Sequence, residues 1–188
     1  PEYVSAMMLA VSMMFLRFMI LILIFSTSIF LNIYPYLLIM SATAAGIGIF
    51  IHKKHTIKGE REVIEETETE SNPLEFKVAL IFALLFVVFT FLTHYTLVYA
   101  GTGGLSILSI ATGLSDITPF ILNLLQGGNI PATIVGACIM QAIISNIVVN
   151  MFYAIFFSSR RKEMLPYVWK GFLTVIGVNA VLLLIYYF

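Results

Sequence analysis

SIATGLSDITPF, residues 109–120, places an aspartate in a stretch from Gly101 to Ser159 that has no other charged residue. Asp116 is also the only aspartate in the chain. A carboxylate in such surroundings has to be explained by where the segment lies relative to a membrane. The chain has 188 residues, of which 60% are hydrophobic and 11% charged. Mean hydropathy is +1.00. Soluble domains carry about 25% charged residues. Several apolar runs exceed the roughly 20 residues that cross a bilayer as a helix. A transmembrane β-barrel would alternate polar and apolar positions in segments of about 10 residues, and these runs do not alternate. The composition predicts an all-α polytopic transmembrane bundle embedded in the lipid bilayer.

The runs can be placed along the chain. The first helix is expected over about 3–31, with Arg17 near its middle, and Asn32, Tyr34 and Pro35 form a turn. The second is expected over 36–52. Its stretch SATAAGIGIF (41–50) is rich in small residues, which let helix backbones approach closely in lipid. A hydrophilic loop fills 53–72. A third helix is expected over 73–100, with Asn72 as N-cap and Pro73 in first position. Gly101, Gly103 and Gly104 interrupt the chain before the segment 105–126. Gly127, Gly128 and Pro131 interrupt it again. Helices are then expected over 132–157 and 166–188, with the basic loop SSRRKEML between them.

Net charge is zero, but the charges are segregated. Lys53, Lys54, Lys58, Arg61 and Lys77 flank one loop, and Arg160, Arg161, Lys162 and Lys170 flank the other. No other connection carries Lys or Arg. The positive-inside rule puts both basic loops in the cytoplasm, in a cell membrane of the prokaryotic inner or plasma type. The third helix then ends outside, and the helix from Ala132 must return inside. The segment 105–126 therefore begins and ends on the same side, so it is expected to dip into the bilayer and come back as two half-helices. Gly113 is expected to close the first as a C-cap. Thr118 and Pro119 are expected to open the second as N-cap and first residue. About 10 residues per half reach roughly 15 Å, half of the hydrocarbon core. Asp116 then sits at the tip. Irregular backbone at that depth is tolerated only when buried in protein or lining a wet cavity.

The stretches SMMFLRFMI (12–20), NPLEFKVALIFALLF (72–86), GLSILSIATGLSDITPF (104–120) and SNIVVN (145–150) resemble the C-terminal membrane domain of the MgtC/SapB family. That domain has no assigned function. The resemblance covers nearly the whole chain, and the Arg17 segment and the Gly-Leu-Ser-Asp turn are its most specific parts. It implies an MgtC-like membrane domain preceding this sequence, and an association with magnesium homeostasis or ion transport. The family pattern has a lysine where this chain has Asn150, so a charged site there does not carry over.

Read from the residues alone, Arg17 near the bilayer centre costs roughly 2.5–3.5 kcal/mol on insertion scales unless it faces protein or water. Asp116 is the one acid available at that depth, so an Arg17–Asp116 pair is expected. It is either an ion-linked site or a structural pin. Asp116 is also the candidate metal ligand. Magnesium keeps several waters and needs one or two carboxylates, and Ser115, Thr118 and tip carbonyls would complete the set. An anion between Arg17 and the amide end of the second half-helix is the opposite reading. Gln141, Ser145, Asn146, Asn150 and Tyr153 form a polar stripe on the long helix that either glues helices together or lines a path. Asn123 and Gln126 are expected to face the same pocket, with Ser109 and Thr112 contributing from the first half-helix. His94, beside Tyr95 and Tyr99, reads as an interfacial residue.

Other chemistries are not encoded. There is no zinc-ligand spacing, no nucleophile–base set and no phosphate-binding glycine loop, so neither an enzyme nor a cofactor is expected. There is no basic nucleic-acid surface either. Cys138 is the one cysteine and excludes an intrachain disulfide. The expected function is transport or permeation of a small ion or solute. The alternative is a structural or regulatory membrane domain that binds lipid or a partner. Small residues on the second helix permit a homo-oligomer without requiring one.

Overall fold

The computed structural model describes residues 2–55, 74–127, 130–158 and 165–187. Six helices follow one another: α1 (Glu2–Phe25), α2 (Thr27–His55), α3 (Leu74–Thr112), α4 (Thr118–Gln126), α5 (Ala132–Ser158) and α6 (Leu165–Tyr187). All except α4 are long and apolar enough to cross a membrane. The protein is an integral membrane helical bundle.

α1 and α2 form an antiparallel hairpin. The buried apolar residues of α1 are Val4, Met8, Val11, Phe15, Phe18 and Ile22. Their alternating steps of four and three make the seam of a coiled coil. Ile33, Leu37, Met40, Ala44 and Ile51 answer them from α2. Ser5 Oγ donates to the Gly48 carbonyl at 2.8 Å, and Ser12 Oγ to the Ser41 carbonyl at 3.0 Å. Both pairs are centred on the junction between Ser26 and Thr27. The small-residue stretch of α2 therefore does what its composition suggests, letting the two backbones approach.

The boundary between these helices corrects the sequence reading. The first helix ends at Phe25, not Leu31, and Pro35 lies inside α2. The polar residues read as a turn are satisfied within the helix, where Asn32 Nδ2 donates to the Ser28 carbonyl at 2.9 Å. Ser26 makes the break instead, its Oγ accepting the N–H of Ile29. The other boundaries fall within a few residues of expectation, although α2 runs on to His55. The proposed cap at Asn72 and Pro73, most of the loop 53–72 and the cluster Arg160–Lys162 lie outside the described residues.

α3 folds back on itself at Gly101, which has φ +60° and ψ −153°. An ideal Cβ on Gly104 would come within 2.9 Å of Thr96 Cγ2. Residues eight apart in a straight helix lie about 12 Å apart along the axis, so the chain has reversed. Gly101 supplies the backbone conformation of the turn, and Gly104 the clearance for the two arms. The outer arm, 74–100, lies at the periphery. Between Phe76 and Ala100 only Phe89 and Thr93 are buried. The inner arm, 102–112, packs on α5, and α4 returns beside it.

α5 is the most enclosed of the five long helices, with Val135, Ala137 to Met140, Ala142, Ile143 and Ile147 buried. Contacts set the relative heights of the ends. Tyr36 of α2 meets Tyr186 of α6 edge to face. At the opposite end, Ile51 of α2 and Tyr167 and Lys170 of α6 line one cavity. The C-terminal end of α2 and the N-terminal end of α6 therefore lie together.

Candidate functional site: the tip of a re-entrant hairpin

The inner arm of α3 ends in a tightened last turn. Gly113, Leu114 and Ser115 donate N–H groups to the carbonyls of Ile110, Ala111 and Thr112 at 3.0–3.2 Å. Ser115 Oγ adds a bond to the Thr112 carbonyl at 3.1 Å. Gly113 is not the left-handed cap expected, because Gly101 is the one described residue with positive φ. What requires glycine at 113 is proximity. A Cβ there would lie 2.3 Å from Ser145 Cβ and 2.8 Å from the Asn146 backbone nitrogen. Ser145 Oγ donates to the Ile110 carbonyl at 2.7 Å, and Asn146 Nδ2 to the Gly113 carbonyl at 3.4 Å. These two residues lie midway along α5, so the tip sits at mid-depth in the bundle.

The return half-helix is capped by Asp116, not by Thr118. Asp116 Oδ1 accepts the N–H of Thr118 at 2.9 Å and its hydroxyl at 2.7 Å. The N-cap position belongs to Ile117, whose side chain has no polar atom, and Pro119 follows in the first turn. The carboxylate therefore neutralises the amide end of the helix from one residue further back.

Arg17 and Asp116 do not touch. Arg17 Nη2 donates to Thr118 Oγ1 at 3.1 Å, and that hydroxyl gives its own proton to Asp116. The expected direct pair is thus a relay through one hydroxyl, because Asp116 Oδ1 is already turned toward the helix it caps. The guanidinium also lies 5.1 Å from the Phe18 ring centroid. Arg17, Ser115 and Asp116 are all exposed on the surface of the bundle.

The single polar pocket expected at the tip is divided. Asn123 Nδ2 turns away to Thr90 Oγ1 on the outer arm at 2.7 Å. Gln126 is exposed. Gln141 Nε2 donates to Tyr187 Oη at 3.0 Å. Asn150 Nδ2 donates to Asn146 Oδ1 at 3.2 Å. Ser109 and Thr112 hydroxyls bond within their own helix. Gln141, Ser145, Asn146 and Asn150 therefore wind about half a turn round α5, and their bonds go to Tyr187, the inner arm and one another and not to the Arg17–Thr118–Asp116 relay.

Two cavities lie toward the two ends of α5. One, of about 440 Å³, is lined by Thr102, Ser106, Thr133, Tyr186 and Tyr187 near the kink at Gly101. Beside it, Tyr186 Oη and Gln141 Oε1 are buried with no hydrogen-bond partner among the described residues. The other, of about 300 Å³, is lined by Met14, Asn150, Tyr153 and Phe172 toward the opposite end. Neither Tyr187 nor Thr90 is among the candidates that the sequence singles out. No periodic signal marks either one, since both partnerships depend on which helices pack together and at what height. Among the described residues no three of His, Cys, Asp and Glu come together. A cation at Asp116 would have to draw its other ligands from hydroxyls, carbonyls and water.

Comparison with known proteins adds a family. A model described as "Domain of unknown function (DUF4010)" matches residues 1–158. An "Uncharacterized protein" of Aquifex aeolicus (strain VF5) is 24% identical over 153 residues, or 80% of this chain. The chain spans 63% of that relative's length. No solved structure matches.

Proposed function

The chain belongs to the DUF4010 family, and on that premise we propose that it is a transporter or channel for a small ion or solute, with the hairpin tip as its selective element. One observation carries this reading. A helix broken at mid-depth holds the only aspartate in the chain, one hydroxyl away from an arginine two-thirds of the way along α1. Ionisable groups at such depth mark ion and solute pathways, and broken helices at the midplane are a recurring way of building substrate sites.

The positive-inside rule places the end bearing Lys53 and Lys170 in the cytoplasm. The cavity near Gly101 then opens to the outside. Magnesium is the first cation to test, because of the resemblance to the MgtC/SapB family. An anion is the counter-candidate, because the relay also presents a guanidinium.

The test is flux through purified protein in liposomes, using Mg²⁺, protons and chloride. Asp116→Asn keeps an acceptor for the Thr118 N–H but removes the charge. Flux in the wild type that drops at least about tenfold in a folded Asp116→Asn variant, equivalent to about 1.4 kcal/mol or more in the barrier, supports the reading and names the ion. If the wild type carries none of the three and the variant is merely less stable, Asp116 is a structural cap. The chain is then a binding or regulatory membrane domain.

A further inference from the structure

Arg17 and Asp116 face outward, and their surroundings are apolar. On α1, Met13, Ile20 and Ile24 share a helical stripe with Arg17 and are exposed by 65%, 61% and 72%. At the tip, Leu114 is 70% exposed. The polar groups are only partly used. Among the described residues Arg17 makes one hydrogen bond, through Nη2, and Asp116 bonds through Oδ1 alone. Its Oδ2 and most of the guanidinium donors have no partner among those residues. An irregular turn and two charges cannot face hydrocarbon at mid-depth, and the exposed side chains Met13, Ile20, Ile24 and Leu114 that frame them are apolar.

We propose that a second copy of this chain covers this face, in a parallel two-fold dimer in which Arg17 of each protomer pairs with Asp116 of the other. The patch is complementary to itself, with one positive and one negative group in an apolar frame. One hydroxyl separates the two groups, so they lie at nearly the same depth. A two-fold axis along the membrane normal preserves depth, and so brings each arginine level with the partner's aspartate. Such an interface is isologous, residue i meeting j while j meets i. It would enclose four charges around the axis and bury the two hairpin tips against each other. The dimer does not depend on whether the tip carries flux.

The test uses Cys138→Ala as a cysteine-free background. Leu114→Cys is treated in the membrane with a short thiol crosslinker. Phe76→Cys, 73% exposed on the outer arm of α3, serves as the comparison site. The expected result is a product at twice the 21.0 kDa chain mass from Leu114→Cys and little from Phe76→Cys. Paired charge inversions examine the contact itself. Arg17→Glu and Asp116→Lys should each lose the crosslink when alone, through like-charge repulsion across the axis. Mixed together, they should recover it as a heterodimer. A monomer at every site, or crosslinking as strong at Phe76→Cys, overturns the dimer. Crosslinking at Leu114→Cys that neither inversion changes overturns the Arg17–Asp116 pairing. Flux without crosslinking would leave the transport reading standing and sink this one, and crosslinking without flux would do the reverse.

Discussion

Gly113→Ala is expected to destabilise the protein by about 1–3 kcal/mol, the range for forcing an extra methyl into a packed interior. The new Cβ would lie 2.3 Å from Ser145 Cβ, 2.5 Å from Ser145 Oγ and 2.8 Å from the Asn146 backbone nitrogen. A side chain can rotate aside, but a backbone nitrogen in the middle of α5 cannot. The inner arm must therefore back away from α5, at the expense of the bond from Ser145 Oγ to the Ile110 carbonyl. Thermal unfolding in detergent measures the loss. Adding Ser145→Gly removes two of the three clashes, so it should restore part of the stability lost to Gly113→Ala. Contacting residues couple in this way, and distant ones add. An unchanged midpoint for Gly113→Ala would mean that the tip does not rest on α5.

Gly101→Ala should cost a similar amount for a different reason. Nothing lies within 4 Å of the Cβ it would carry, so sterics with neighbours play no part. The penalty comes from φ +60° with ψ −153°, a region that only glycine visits readily and that costs other residues about 1–3 kcal/mol. Relieving it would straighten α3 and withdraw the inner arm from the bundle. Gly103→Ala is the control. It also has open space around its Cβ, but no positive φ, and is expected to be neutral. Equal midpoints for the two variants would show that the reversal at Gly101 is not what holds the hairpin.

The broken hairpin could be read from the sequence because charge and length constrain topology so strongly. Two basic loops expected to share a side leave an even number of crossings between them, and the glycine groups before and after 105–126 marked the ends. The small residues of α2 could be read for the same reason, since close backbone approach admits few alternatives. Other features could not. Ser26 breaks the first hairpin where Asn32 and Pro35 looked stronger, because a helix in an apolar setting absorbs an asparagine by bonding it to its own carbonyl. The relay through Thr118 was missed because a hydroxyl can donate and accept at once, and spacing does not reveal which partners it finds. The division of the polar residues among separate partners depends on helix rotation. Asn123 and Gln126 are three apart on one short helix, yet one meets Thr90 and the other faces outward.

The most direct test of the re-entrant hairpin is the sidedness of its two ends. Single cysteines at Gly103 and Gln126, in the Cys138→Ala background, would be labelled with a membrane-impermeant maleimide in sealed vesicles of each orientation, with Lys53→Cys marking the opposite face. The expected result is that Gly103→Cys and Gln126→Cys react from the same side, and Lys53→Cys only from the other. If Gly103→Cys and Gln126→Cys react from opposite sides, residues 102–126 cross the membrane. Asp116 would then not lie at the tip of a hairpin, and the proposed site would lose its basis.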